Sequence, residues 1–130
     1  MSQENVEVVR GSLEHLLASG EPQWAALHSA IVVRDHDIPD ASDYRGHAGV
    51  TQWLEDWATA WSEYTLKPTE YIDADDRVVV VFLMKATGRG SGVRVERRDA
   101  MVCQVHDDLI VRIDYYNDRA EALKAVGLEE

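Results

Sequence analysis

Three consecutive residues with chemistry of their own, Asp35, His36 and Asp37, stand just beyond an apolar run of Ala30, Ile31, Val32 and Val33. A carboxylate beside an imidazole can tune the protonation of both, which suits general acid–base work. The alternate residues Asp35 and Asp37 could share a face toward a metal, but no third ligand stands at a useful spacing, so no metal site is expected. A plain solvated turn is the competing reading, since aspartates near proline and serine are ordinary turn chemistry. Asp40 and Asp43, beyond Pro39, are assigned to that loop. On a regular strand Asp35 points into the interior and His36 points the other way. A second acid, Asp99, sits between Arg98 and Ala100 in a stretch whose odd positions Met101, Cys103 and Val105 are apolar. An acid on that side needs a partner or a raised pKa; the alternative is an exposed strand end paired with an arginine. If Asp35 and Asp99 come together, one can stay protonated and donate while the other acts as base.

The residues that would surround such acids are mostly aromatic. Trp53 and Trp57 lie on one stripe with Val50 and Leu54, and a tryptophan pair suits a flat apolar ligand as well as helix–sheet packing. Trp61 continues the stripe and would cover the end of the pocket. His28, Tyr44, Met101 and Tyr116 complete the candidate wall. His28 reads equally as a core histidine bonded to a carbonyl. Asp114 and Tyr116 share one face of the last strand, Val111, Ile113 and Tyr115 the other, and the sequence leaves open which face sees the pocket. The lone Cys103 reads as a small apolar filler. There is no Ser-His-Asp motif, no phosphate loop and no dinucleotide fingerprint, and "GRGSG" at 88–92 lacks the strand-to-helix setting that a phosphate loop needs. No cofactor is expected.

The elements that position these residues can be read from periodicity. Val6, Val9, Leu13, Leu16 and Leu17 predict an amphipathic helix over 3–19, ended by Gly20. Pro22 would open a second helix with Trp24, Leu27, His28 and Ile31 on one face, followed by a short strand over 32–35. A third helix over 46–63 carries the tryptophans. Strands are expected over 64–73, 77–85, 94–106 and 109–117, the second of them apolar on both faces. Asp118 caps a last short helix, with Glu121 placed as in a capping box and Gly127 as the stop. Segregated helices beside a mainly antiparallel sheet mean an α+β fold. One domain spanning 1–130 accommodates all of it.

Charge narrows the partners. Against 13 lysines and arginines the chain has 24 aspartates and glutamates, a formal net charge of −11. It should repel nucleic-acid phosphates and anionic membranes, and the basic cluster Arg94, Arg97 and Arg98 is too small to reverse this. No apolar run approaches the roughly 20 residues of a membrane span. The N-terminus lacks the pattern of a signal peptide, and a single cysteine requires no oxidising compartment. A cytoplasmic location is the expectation.

In their order, the stretches "SQENVEVVR", "PDASDYRGHAGVTQWLEDWATAW", "YIDADDRVVVV", "GRGSGV" and "LIVRIDYYNDRAEALKAVGL" resemble the nuclear transport factor 2-like superfamily, in its SnoaL-like polyketide cyclase branch, with ketosteroid isomerase more distant. The resemblance implies a cone-shaped, curved, mainly antiparallel mixed sheet wrapped against three helices, with a short C-terminal helix. It implies a deep apolar pocket at the open end and, often, a homodimer through the other sheet face. Isomerases of this kind abstract a proton beside a carbonyl with an aspartate and stabilise the enolate with a tyrosine and a protonated aspartate. That tyrosine is missing here, where Leu13 stands, and Met101 occupies a position where relatives carry His or Asp. The expected function is a pocket protein for a small apolar or aromatic molecule, either a cofactor-independent isomerase or cyclase using Asp35, Asp99 and His36, or a non-catalytic binding domain or dimerisation scaffold. A homodimer is expected for a second reason. Residues 78–84 are apolar on both faces, more than one helix layer covers.

Overall fold

The computed structural model describes residues 2–38 and 43–128. Helix α1 (Ser2–Ser19) presents the expected apolar stripe, with Val6, Val9 and Leu13 buried. Gly20, at φ +78°, donates its N–H to the Leu16 carbonyl and closes the helix. A single 3-10 turn, Trp24–Ala26, leads directly into strand β1 (Leu27–Asp35). The expected second helix is therefore absent. The β-branched run Ile31, Val32 and Val33 prefers the extended state, and β1 gains a parallel partner whose backbone satisfies it, strand β6 (Leu109–Tyr116). The helical spacing of Trp24, Leu27 and Ile31 was outweighed by this long-range pairing.

A two-residue strand β2 (Tyr44–Arg45) opens helix α2 (Gly46–Ala60). The helix stops short of Glu63, and Trp61 begins strand β3 (Trp61–Ala74) instead. The turn at 88–92 enforces this ending. The Arg89 guanidinium donates to the carbonyls of Ala58 and Trp61 at 2.9 and 3.3 Å, and its backbone N–H donates to the Ala60 carbonyl at 3.1 Å. These bonds satisfy carbonyls that a helix C-terminus leaves orphaned, and they tie the turn to α2. Strands β4 (Arg77–Gly88) and β5 (Arg94–His106) follow, then β6 and helix α3 (Arg119–Ala125). Asp118 caps α3 as expected, accepting from the Ala120 N–H at 3.2 Å.

The sheet runs β2-β1-β6-β5-β4-β3, with every pair antiparallel except β1 with β6. Helices α1 and α2 cover its concave face over Val78, Val80, Phe82, Met84, Met101, Cys103 and Ile113. Helix α3 covers the convex face, where Val79, Val81, Ala100 and Val102 pack with Ala122 and Leu123. The apolar surplus of β4 that argued for a homodimer is thus covered within one chain by two helix layers rather than one. No helix among the described residues is long and apolar enough to cross a membrane.

Candidate functional site

Between α1, α2 and the concave sheet lies a cavity of about 420 Å³. Helix α1 contributes Val9, Ser12, Leu13 and Leu16, and α2 contributes Val50, Trp53, Leu54 and Trp57. The floor comes from the strands, through Leu66, Phe82, Met101, Cys103, Ile113 and Tyr115. Leu17 and Tyr64, two of the most exposed large hydrophobic residues, also line it and mark its mouth. Among the described residues the lining contains no charged side chain. Its size is within the usual range of small-molecule sites.

The acids stand behind this wall. Asp35 turns inward at the end of β1 and is 2% exposed. Its Oδ2 accepts both indole N–H groups, from Trp53 at 2.7 Å and Trp57 at 2.9 Å, and its Oδ1 accepts the Asp37 backbone N–H at 2.9 Å. The indoles that line the cavity therefore point their polar edges away from it. Asp99, fully buried, accepts from Arg97 Nε at 2.6 Å and from the Tyr115 hydroxyl at 2.5 Å. Arg97 also reaches Asp37 at 2.7 Å, and Asn117 donates to the same Asp37 carboxylate at 2.8 Å. The tyrosine joins the two acidic groups. Its ring packs edge-on to Trp57 at 5.2 Å and Trp53 at 6.0 Å. Burial, first, and then the neighbouring charge and hydrogen bond of Asp99 push its phenol pKa far above the ordinary value, so the hydroxyl keeps its proton.

Three expectations are corrected by this geometry. Asp35 points inward but does not face the cavity, because Trp53 and Trp57 occupy its carboxylate. Asp35 and Asp99 do not share a hydrogen bond, because Asp99 has a guanidinium and a phenol as its partners. Tyr116 does not line the cavity, and its neighbour Tyr115 does, because the β5–β6 register sets Tyr115 opposite Met101 on the concave side and Tyr116 opposite Ala100 on the convex side. There Tyr116 stacks on His36 with ring centroids 4.3 Å apart. His36 lies on that outer face too, with Nε2 2.9 Å from Asp114 Oδ1, so it is remote from the cavity wall.

The remaining expected residues divide. Met101, Trp53 and Trp57 line the cavity. His28 lies on β1, not on a helix, and its Nδ1 accepts from the Ala30 N–H at 2.9 Å. Tyr44 donates to Asp56 at 2.6 Å at the edge of the core, where burial and Asp56 raise its pKa well above the ordinary value. Trp61 sits beside the cluster, with the Arg97 guanidinium 5.8 Å from its ring. Asp43 pairs with Arg34 at 2.7 Å on the surface; Asp40 lies outside the described residues. Burial pushes the Cys103 thiol up to about 12. Among the described residues no cluster of three His, Cys, Asp or Glu could hold a metal ion. Arg97 and Tyr115 were not among the candidate site residues; Arg97 was read only as part of a basic cluster, and Tyr115 only as part of one of two faces left open. Their signal was parity, since Arg97 alternates with Asp99 and Tyr115 with Ile113.

The family model of the SnoaL-like domain matches residues 5–113. The chain belongs to the SnoaL-like domain family. Among solved structures, TerC, co-crystallised with polyporic acid, is 19% identical, with a TM-score of 0.74 over 95% of this chain and 98% of that one. An NTF2-like protein of Burkholderia xenovorans LB400 is 22% identical, with a TM-score of 0.75 over 97% of each chain. A protein of ketosteroid isomerase-like fold from Catenulispora acidiphila DSM 44928, in complex with trimethylamine, is 14% identical, with a TM-score of 0.68 over 89% of this chain and 92% of that one. At these identities the likeness is one of fold. No curated protein matches this SnoaL-like chain in sequence.

Proposed function

We propose that this SnoaL-like domain binds a small, flat, predominantly apolar molecule in the cavity between α1, α2 and the sheet. One observation carries the reading. The cavity of about 420 Å³ has, among the described residues, a wall free of charged side chains, with Trp53, Trp57, Phe82 and Tyr115 presenting ring surface to it. The buried acids fit this role as scaffolding. Asp35 fixes both indoles and Asp99 fixes Tyr115, so the aromatic wall is held in place before a ligand arrives, which lowers the ordering cost of binding. Two structural relatives were solved with small molecules, polyporic acid and trimethylamine. Binding of a neutral flat aromatic should change the tryptophan fluorescence. Leu13→Trp, which fills the cavity, should abolish the change, and Trp53→Ala should weaken binding more than Trp61→Ala, since Trp61 is not in the wall. Equal effects of Trp53→Ala and Trp61→Ala would sink the proposal.

A second reading, acid–base catalysis on a carbonyl compound, is favoured by Tyr115, which both lines the cavity and bonds Asp99. It predicts deuterium exchange beside the carbonyl of 2-indanone in heavy water, accelerated by the protein and slowed about 10²-fold or more by Asp99→Asn. Exchange no faster than in buffer would leave binding as the sole role of the cavity.

A further inference from the structure

Ser12 stands where the pattern of α1 requires a hydrophobe. Val9, Leu13 and Leu16 form the stripe that faces the cavity, and Ser12 lies among them at helical spacing. It is 9% exposed, the only serine or threonine among the buried polar residues that are described. Hydroxyls in helices commonly turn back onto the carbonyl four residues earlier. Among the described residues Ser19 does so onto His15 at 2.7 Å and Thr59 onto Glu55 at 3.0 Å. Ser12 does not, and no partner among the described residues takes its hydroxyl. Among the described residues every side-chain nitrogen or oxygen that is sealed from solvent has a partner, and Ser12 lines the cavity, so its hydroxyl opens there.

We infer that Ser12 is the polar anchor of the cavity, and that the ligand is an uncharged apolar molecule carrying one hydrogen-bonding group that docks on it. The inference deepens the binding reading above and rests on it. The Ser12 hydroxyl opens on the cavity without a protein partner, and a ligand oxygen or nitrogen there takes the place of water while the rest of the ligand meets apolar wall. The other polar groups of the wall are differently placed. The indole N–H groups are taken by Asp35, the Tyr115 hydroxyl donates to Asp99, and Tyr64 is an exposed residue of the lining. Among the described residues the wall offers no cation to an anionic ligand.

Calorimetric titration with three matched probes tests this: 2-naphthol, naphthalene and 2-naphthoate, against wild type, Ser12→Ala and Tyr64→Phe. Wild type should bind 2-naphthol more tightly than either of the others. Ser12→Ala, a change that favours the helix, should weaken 2-naphthol about three- to tenfold, as the loss of one hydrogen bond does, and leave naphthalene unchanged. Tyr64→Phe keeps the ring in the wall and removes only its hydroxyl, so the preference for 2-naphthol over naphthalene should survive it. Equal affinity of wild type for 2-naphthol and naphthalene, loss of the difference in Tyr64→Phe rather than Ser12→Ala, or 2-naphthoate binding as tightly as 2-naphthol would each overturn the anchor while leaving the binding cavity intact. Failure of all three probes to bind wild type would overturn the cavity reading and the anchor with it.

Discussion

The two faces of one sheet treat polar side chains differently. On the concave face the acids are turned away from the free space, Asp35 into two indoles and Asp99 into Arg97 and Tyr115, and the cavity keeps an apolar wall. On the convex face the acids form ion pairs at the surface, Asp114 with Arg112 at 2.8 Å and Glu70 with Arg119 at 3.0 Å, around the patch that α3 covers. The same strands supply both faces, so Asp35 and His36, or Tyr115 and Tyr116, take opposite roles one residue apart. Burial is the physical difference. A carboxylate at the convex surface can fall back on water, and one behind the cavity wall cannot.

The comparison breaks most visibly at Asp99. Asp99→Ala leaves the Tyr115 hydroxyl unpartnered and Arg97 short of one carboxylate, and should cost about 3–5 kcal/mol in urea unfolding. A loss under about 1 kcal/mol would place Asp99 among the surface pairs instead. Next comes the contrast between the buried acids themselves. Asp35 is held by neutral donors alone, and both indoles bond one oxygen, which an amide carbonyl can replace. Asp35→Asn should therefore cost less than Asp99→Asn, and Asp35→Ala, which strands both indole N–H groups, about 2–3 kcal/mol.

On the convex face the expected effects are smaller and depend on pH. Burial alone would raise the Asp114 pKa, but hydrogen bonds from Arg112 and His36 outweigh it and hold the group below the usual carboxylate range. A lowered folded pKa gives stability that is complete above the ordinary value of about 4 and is lost as pH falls through the folded value. Asp114→Asn should thus reduce stability at pH 6 and flatten its decline toward pH 3, as read from urea midpoints. The smallest effect belongs to Tyr116→Phe, within about 0.5 kcal/mol and without influence on binding in the cavity. A binding defect there would mean that the two faces are coupled.

By itself the sequence determined what depends on local period and local chemistry. The stripe of α1, its Gly20 stop, the tryptophan face of α2, the four long strands and the Asp118 cap all follow from residues within a turn or two of each other, and with the order of the elements they carried the family. It also marked Asp35 and Asp99 as acids on apolar faces. The tertiary structure decided who their partners are. Trp57 lies 22 residues from Asp35, Arg97 60 from Asp37, and Asn117 80 from Asp37. Periodicity says which residues share a face, whereas strand register and helix docking say which of them touch. For the same reason residues 27–31, expected in a helix, became strand, Trp61 left the helix, and Tyr115 rather than Tyr116 reached the cavity, each settled by a partner that no local pattern contains.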